Sequence, residues 1–417
     1  MSSRQQSTVS QPDLTMDGLV QPFEGIRVIE IGGSIAAAGA SKILSDFGAD
    51  VIKIEPPDGG EARRLPPFPG DVPHLDRGGY HLALDTGKRS IVLEIDMPSG
   101  VQLLLDLARG SDVVIIHLPP KQARMVLAVL DRFGDDGPST VTMTPHGLEG
   151  PYADHEEDDI SIFARTNRML RHSYTGEEPL RYAPYVPTLQ WASTATSATM
   201  AAIWGRRHDG IRRSIEVVAT EALSGNVDSW YIPWAFTGSN QVRSLGNQVA
   251  YSEGYFPCSD GYLFLSVTVP QFLKRLCEAI GFPELAEDPR IHDPLQQEEH
   301  YGEFRDAVNT YLSVRTRYEA FHELQSKGVL CAPLIDVSEA MTDPQAVARQ
   351  TYVEVEQNAG VGVTTIAGPP FRIRGQSENP WQIKPAPLFG EHTAELLTEI
   401  GYSSEEQLAL FRAGVTS

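Results

Sequence analysis

The side chains able to do chemistry in this 417-residue chain fall into a few clusters. His155, Glu156, Glu157, Asp158 and Asp159 stand together ahead of the apolar run ISIFA. Such a group could ligate a metal, but carboxylates also gather at helix N-termini, where they cap free N–H groups and meet the helix dipole. Glu177 and Glu178 lie in TGEEP, whose turn chemistry makes a solvated loop the simpler reading. Lys88 and Arg89 form a basic pair ahead of a β-rich run, which read alone is a solvated pair. A second basic run, RRHDGIRR at 206–213, fits a solvated helix-to-strand turn.

These groups have to be positioned by an alternating scaffold. IRVIEI (26–31) reads as a strand, the small-residue segment SIAAAGASKILSDFGA as a helix, and VIKIE (51–55) as the next strand. The pattern repeats as SIVLEID (90–96), a helix over about 98–109 and DVVII (112–116), which predicts a parallel sheet with right-handed crossovers. Gly32 and Gly33 open a strand-to-helix turn but fail the GxGxxG spacing, and Glu55 alone at a strand end does not make a ribose site. A helix rich in Ala, Ser and Thr is predicted over about 189–207, followed by the strand SIEVVA. Beyond about residue 225 a second domain begins, with YFPCSDGYLFLSV forming a hairpin turned by Ser259, Asp260 and Gly261, and helices over about 270–318.

Composition narrows the function classes. The formal charge of −21 opposes nonspecific binding to nucleic acid and to anionic membranes, and no apolar run approaches the roughly 18 residues of a membrane span. Cys258, Cys277 and Cys331 are far apart and without CxxC spacing, which suits a reducing compartment; the expected location is the cytoplasm. No GxSxG elbow, HExxH or CxxC pattern is present, so neither a serine hydrolase nor a metalloenzyme is indicated. Residues 1–22 read as a loose tail without the features of a secretory signal.

Ordered motifs along the chain carry a resemblance. FEGIRVIEIGG, SKILSDFGADVIKIEPPDGG, LALDTGKRSIVLEI, EGYFPCSDGYLFLSV, GFPELAEDPRI, GVLCAPLIDVSEAMTDPQAVAR, GPPFRIRG and KPAPLFGEHTAELL together resemble the class III CoA-transferases, the CaiB/BaiF type. The resemblance implies an α/β fold: a Rossmann-like large domain built from both chain ends, a smaller inserted α+β domain, and two chains interlocked as a dimer. The expected limits are 23–224 and 331–417 for the large domain and 225–330 for the small one. It also implies transfer of CoA from an acyl-CoA to a carboxylic acid, with the thioester as substrate and no permanently bound cofactor.

That chemistry needs a carboxylate able to form an anhydride, release thiolate and be attacked by it. The family's aspartate corresponds, by an ungapped count, to Thr188 in VPTLQWASTATSATM. Neither Thr188 nor Gln190 can replace it. Asp159 matches an assisting acid and is the one remaining candidate; Asp158 stands where racemase-type relatives carry histidine. The resemblance places Ile35, Ala36, Lys88, Arg89, His117 and Arg124 at the CoA cleft, where Ile35 replaces a polar or small residue, His117 an asparagine and Pro56 a frequent arginine. The expectation is a non-catalytic subunit paired with a homologous, aspartate-bearing chain. The alternatives are a self-sufficient homodimer using another acid, or a CoA-binding or structural dimerisation module.

Overall fold

In parallel sheets covered on both faces, strands read as continuous apolar runs, and VVII, with all four residues buried, is such a run. The computed structural model describes residues 21–172, 176–225, 231–238, 253–267, 269–292, 297–373, 381 and 383–417. All but the last two residues of the expected N-terminal tail lie outside these. The chain forms two compact units, one drawn from Met1–Thr166, Ala183–Asp228 and Gln350–Ser417, the other from Asn167–Tyr182 and Ser229–Arg349.

The larger unit alternates β1 (Arg27–Ile31), α1 (Ile35–Asp46), β2 (Asp50–Glu55), α2 (Glu61–Arg64), α3 (Gly79–Leu84), β3 (Arg89–Val92), α4 (Pro98–Ala108), β4 (Val113–Ile116), α5 (Pro120–Leu130) and β5 (Ser139–Thr144). It continues through α6 (Asp159–Arg165), α8 (Val186–Asp209), β6 (Ser214–Val218) and α9 (Ala219–Gly225). The C-terminal part adds the hairpin β10 (Tyr352–Gln357) and β11 (Gly362–Ala367), then α16 (Thr393–Glu399) and α17 (Ser404–Arg412). Strands β1 to β6 form one parallel sheet in the order β3-β2-β1-β4-β5-β6. The order reverses between β1 and β4, and in open α/β sheets ligands bind beyond the strand C-termini at that point.

Each face of the sheet has its own core. Leu44 of α1 packs with Trp191 and Ala195 of α8 on one side, whereas Leu103 of α4, Val126 of α5 and Leu396 of α16 fill the other. Two charged residues interrupt the apolar strands as register partners, Glu30 on β1 and Lys53 on β2. Their ion pair, at 3.4 Å, belongs to a fully buried network that also takes in Asp85 and Lys88.

The smaller unit contains α7 (Arg168–Arg171), α10 (Tyr231–Thr237), the antiparallel strands β7 (Glu253–Cys258), β8 (Gly261–Ser266) and β9 (Cys331–Pro333), and helices α11 (Pro270–Ile280), α12 (Gln297–Leu312), α13 (Arg317–Ser326), α14 (Val337–Thr342) and α15 (Pro344–Arg349). The expected hairpin forms, with Asp260 accepting from Arg317 N at 2.7 Å. The expected limits of 225 and 330 shift: residues 331–349 fall in the smaller unit because β9 pairs with β8 (Leu265↔Cys331), and 167–182 join it too. No helix among the described residues is long and apolar enough to cross a membrane.

Candidate active site

Three backbone segments meet at the switch point. Gly32 (φ 122°) ends β1, and a Cβ there would lie 1.9 Å from the carbonyl oxygen of His117 after β4. A Cβ on Gly33 (φ 60°) would lie 2.7 Å from Gly60 Cα, in the loop after β2. Only glycine permits both the dihedrals and the approach. Ser34 then caps α1, its Oγ accepting from Ala37 N at 3.1 Å. Since that oxygen accepts there, its proton is free for His117 Nδ1, 2.6 Å away. Burial pushes the His117 imidazole down to about 4, so the ring is neutral near pH 7. It meets Trp191 edge-on at 5.2 Å, and Trp191 Nε1 donates to Val217 O.

The first N–H of α1 is also taken. Ile35 N donates to Glu61 Oε2 at 3.2 Å, which brings the exposed carboxylate of Glu61 to the N-terminal end of this helix. Ile35 and Ala36 are themselves buried.

Helix α8 begins three residues earlier than the expected Leu189, so Thr188 lies inside its first turn. The N-cap residue, Tyr185, is left-handed (φ 63°) and offers no side-chain cap. Asp159 fills the role from α6: Oδ2 accepts from Tyr185 N at 3.0 Å, and Oδ1 accepts from Thr188 N at 3.0 Å and Thr188 Oγ1 at 2.7 Å. Its neighbour Asp158 caps α6 in a reciprocal box with Ser161. The acidic cluster thus caps two helices, and no group able to hold a metal ion occurs among the described residues. Tyr80 packs edge-on against Tyr185 at 4.8 Å. Partial burial, then the charges of Glu61 and Asp159, raise the Tyr185 phenol. Glu61, Tyr185, Asp159 and Thr188 therefore share one neighbourhood that no sequence spacing joins.

The cations expected to meet phosphate are otherwise engaged. Lys88 Nζ donates to Glu30 Oε2 at 2.8 Å, Asp85 Oδ1 at 2.8 Å and Ala38 O at 3.0 Å, with its side chain wholly buried. Arg89 starts β3, at the edge of the sheet opposite the switch point, and pairs with Asp50, Glu395 and Glu399. Arg124 clamps the loop after β5, donating to Leu148 O and to Asp154 Oδ1. Lys88, with all three ammonium protons engaged, would have to give up such a bond to bind phosphate, whereas the half-exposed Arg124 keeps further N–H groups. Glu55 is likewise consumed: burial would raise its carboxyl, but Lys53 and Arg63 hold it below the usual range. A cavity of about 360 Å³ opens over the ends of β1, β2 and β3, and its lining includes Asp58, Glu94 and Asp96 but neither Lys nor Arg. Glu177 and Glu178 are exposed in the smaller unit.

Sequence reasoning missed Glu61 and Ser34. The available signal was the pair Gly59-Gly60 directly before Glu61, which lets the loop after β2 touch the one after β1.

Residues 23–393 match the family model described as CoA-transferase family III. The chain is 29% identical to the succinate–glutarate CoA-transferase of Agrobacterium fabrum over 91% of its own length and 96% of that protein's. It is 28% identical to the succinyl-CoA–L-malate CoA-transferase beta subunit of Chloroflexus aurantiacus, covering 94% and 98%. For a subunit of the succinyl-CoA:(R)-benzylsuccinate CoA-transferase of Thauera aromatica the identity is 26%, covering 94% and 98%. Among solved structures, a CAIB/BAIF family protein from Brucella suis superimposes with a TM-score of 0.77 at 22% identity, over 91% of this chain and 99% of that one. With a glycine-tightened switch point, a capped small-residue helix and these relatives over nearly its whole length, the chain belongs to CoA-transferase family III.

Proposed function

We propose that this chain is the subunit of a heteromeric class III CoA-transferase that lacks the nucleophile, working beside a homologous chain that carries the aspartate. The observation that supports this most is Thr188. Its N–H and hydroxyl are both spent on Asp159, and Asp159 in turn spends both oxygens on the start of α8. A threonine hydroxyl would give a stable ester where the reaction needs an anhydride. Two of the relatives are themselves subunits by name. CoA and the acyl group would enter at the switch point, where His117 offers a neutral ring and the helix α1 a capped N-terminus. The test is to purify the chain alone and together with an aspartate-bearing homologue from the same genome, then follow CoA transfer to a panel of carboxylic acids. The pair is expected to be active and the chain alone inactive; strong transfer by the chain alone refutes the assignment.

A second reading has one observation in its favour. Glu61 holds an exposed carboxylate at the α1 N-terminus, so a self-sufficient enzyme would use Glu61 in place of the missing aspartate. Its carboxylate would attack the acyl-CoA carbonyl and expel thiolate, and the thiolate would then attack the enzyme's side of the anhydride, freeing the acid. Hydroxylamine added during turnover by the chain alone would convert that thioester to a hydroxamate on the peptide carrying Glu61. An unmodified peptide refutes this second reading.

A further inference from the structure

Past the switch point along the same sheet edge, an open cavity of about 500 Å³ lies beside the C-terminal ends of β5 and β6, lined by His146, Glu149, Pro151, Tyr152, Arg165 and Thr220. His146 follows β5 by two residues and Thr220 follows β6 by two. Neighbouring strands are spaced about 5 Å apart, so the cavity sits on the order of 10 Å from the β1–β4 crevice.

Its floor is a charged cluster. His146 Nε2 lies 2.7 Å from Glu157 Oε1, and Arg165 Nε lies 3.2 Å from the same oxygen. The imidazole is 6% exposed and the carboxylate 12%, while Arg165 is 39% exposed and its guanidinium stacks 4.7 Å over the Tyr152 ring. A carboxylate only accepts, so Nε2 carries the proton in this contact, and in that tautomer Nδ1 is the nitrogen that holds a lone pair. Among the described residues nothing hydrogen-bonds Nδ1, and His146 is one of the residues that line the cavity. The terminal nitrogens of Arg165 are also without partners there. Glu157 Oε2 is buried with no donor, a cost that a purely structural ion pair of this kind does not require. A histidine oriented by a nearly buried carboxylate and lining a cavity beside a guanidinium fork is an arrangement for a small anion that also carries a hydroxyl.

We propose that this cavity binds a small 2-hydroxycarboxylate, with Arg165 taking the carboxylate through its two terminal nitrogens and His146 Nδ1 accepting a hydrogen bond from the hydroxyl. The binding stands on the cavity alone; that such an acid is the CoA acceptor rests on the transferase reading above.

The test titrates the full chain by calorimetry with two matched pairs, L-lactate against propionate and L-malate against succinate, each differing by one hydroxyl. The hydroxy acids are expected to bind about tenfold more tightly than their partners, the share of one well-placed hydrogen bond. Arg165→Gln is expected to abolish saturable binding of all four while the chain stays folded, as circular dichroism at the titration temperature would show. His146→Gln is expected to erase the hydroxyl preference. Because that residue is nearly buried, imidazole NMR of the unmodified chain supplies an independent readout: the His146 ring should shift with lactate and not with propionate. Absence of saturable binding of lactate and malate, equal binding within each pair, or unchanged binding by the Arg165→Gln chain overturns the proposal. Binding with no CoA transfer by any subunit combination would refute the transferase reading and leave this one standing; transfer without binding would do the opposite.

Discussion

Replacing Lys88 by methionine separates two roles for that residue, phosphate ligand and buried counter-ion. Its ammonium reaches Glu30, Asp85 and the Ala38 carbonyl at 2.8 to 3.0 Å, and none of the side chains in the cluster is exposed. In the wild type, Lys53 and Lys88 balance Glu30 and Asp85. Lys88→Met leaves that group one negative charge in excess, with Lys53 as the lone ammonium for two carboxylates. Removing one partner of a buried pair costs roughly 3 to 5 kcal/mol, because the charge left behind cannot regain water. If the larger unit melts as one, the midpoint should fall on the order of 10 °C. The assays are thermal unfolding followed by circular dichroism and CoA binding measured well below the new midpoint. Lower stability with unchanged CoA affinity is expected. Unchanged stability with affinity lost would refute the reasoning and return Lys88 to the phosphate site.

Asp159→Ala removes the three hydrogen bonds at the start of α8, and urea unfolding should register a loss of about 1 to 2 kcal/mol, the usual range for a lost cap; an unchanged midpoint would mean another group caps the helix. His117 is held near 4 by burial, against about 6.5 when unfolded, so between those values the unfolded chain binds the proton first. Stability present above pH 6.5 should therefore be lost as pH falls towards 4, by roughly 3 kcal/mol from this residue, and His117→Asn should flatten that slope in urea midpoints taken at pH 7 and 4.5. Thr188→Asp would set a second carboxylate where Asp159 Oδ1 now lies 2.7 Å from a hydroxyl, so the pair should share a proton. That variant should melt lower at pH 8 than at pH 5.5, and adding Asp159→Asn should remove the difference.

Much of the larger unit could be read from the chain because its signals are local. β-branched runs alternating with Leu-rich or small-residue segments predicted the strands near 26, 51, 90, 112 and 214 and the long helix after Pro187, and the hairpin announced itself through Asp260-Gly261. Pairings between distant residues were not legible. Lys88 looks like a basic pair with Arg89 until Glu30, 58 residues earlier, is placed beside it by the register of β1 and β2. The limit of the smaller unit was misplaced because β9 is only three residues long and draws its meaning from β8. The site shows the same division: Thr188 was found by counting, whereas Glu61 and the partnership of His146 with Glu157 depend on loops whose conformation no periodicity encodes.

The segment before α16 closes elements made at the other end of the chain. Arg63 Nη2 donates to Pro387 O, Phe389 N to Asp76, and Gly390 N to Ser90 Oγ, which itself holds Glu55. On the ribosome these groups near β2 and β3 wait for 300 or more further residues, roughly 15 to 60 seconds of synthesis at ordinary rates. The smaller unit, complete by Arg349, emerges first in its entirety. The order in which the elements are completed therefore runs against sequence order: the first strands to be made are among the last to be finished, and a stop codon a few dozen residues early would leave the charged interior of the larger unit open to water.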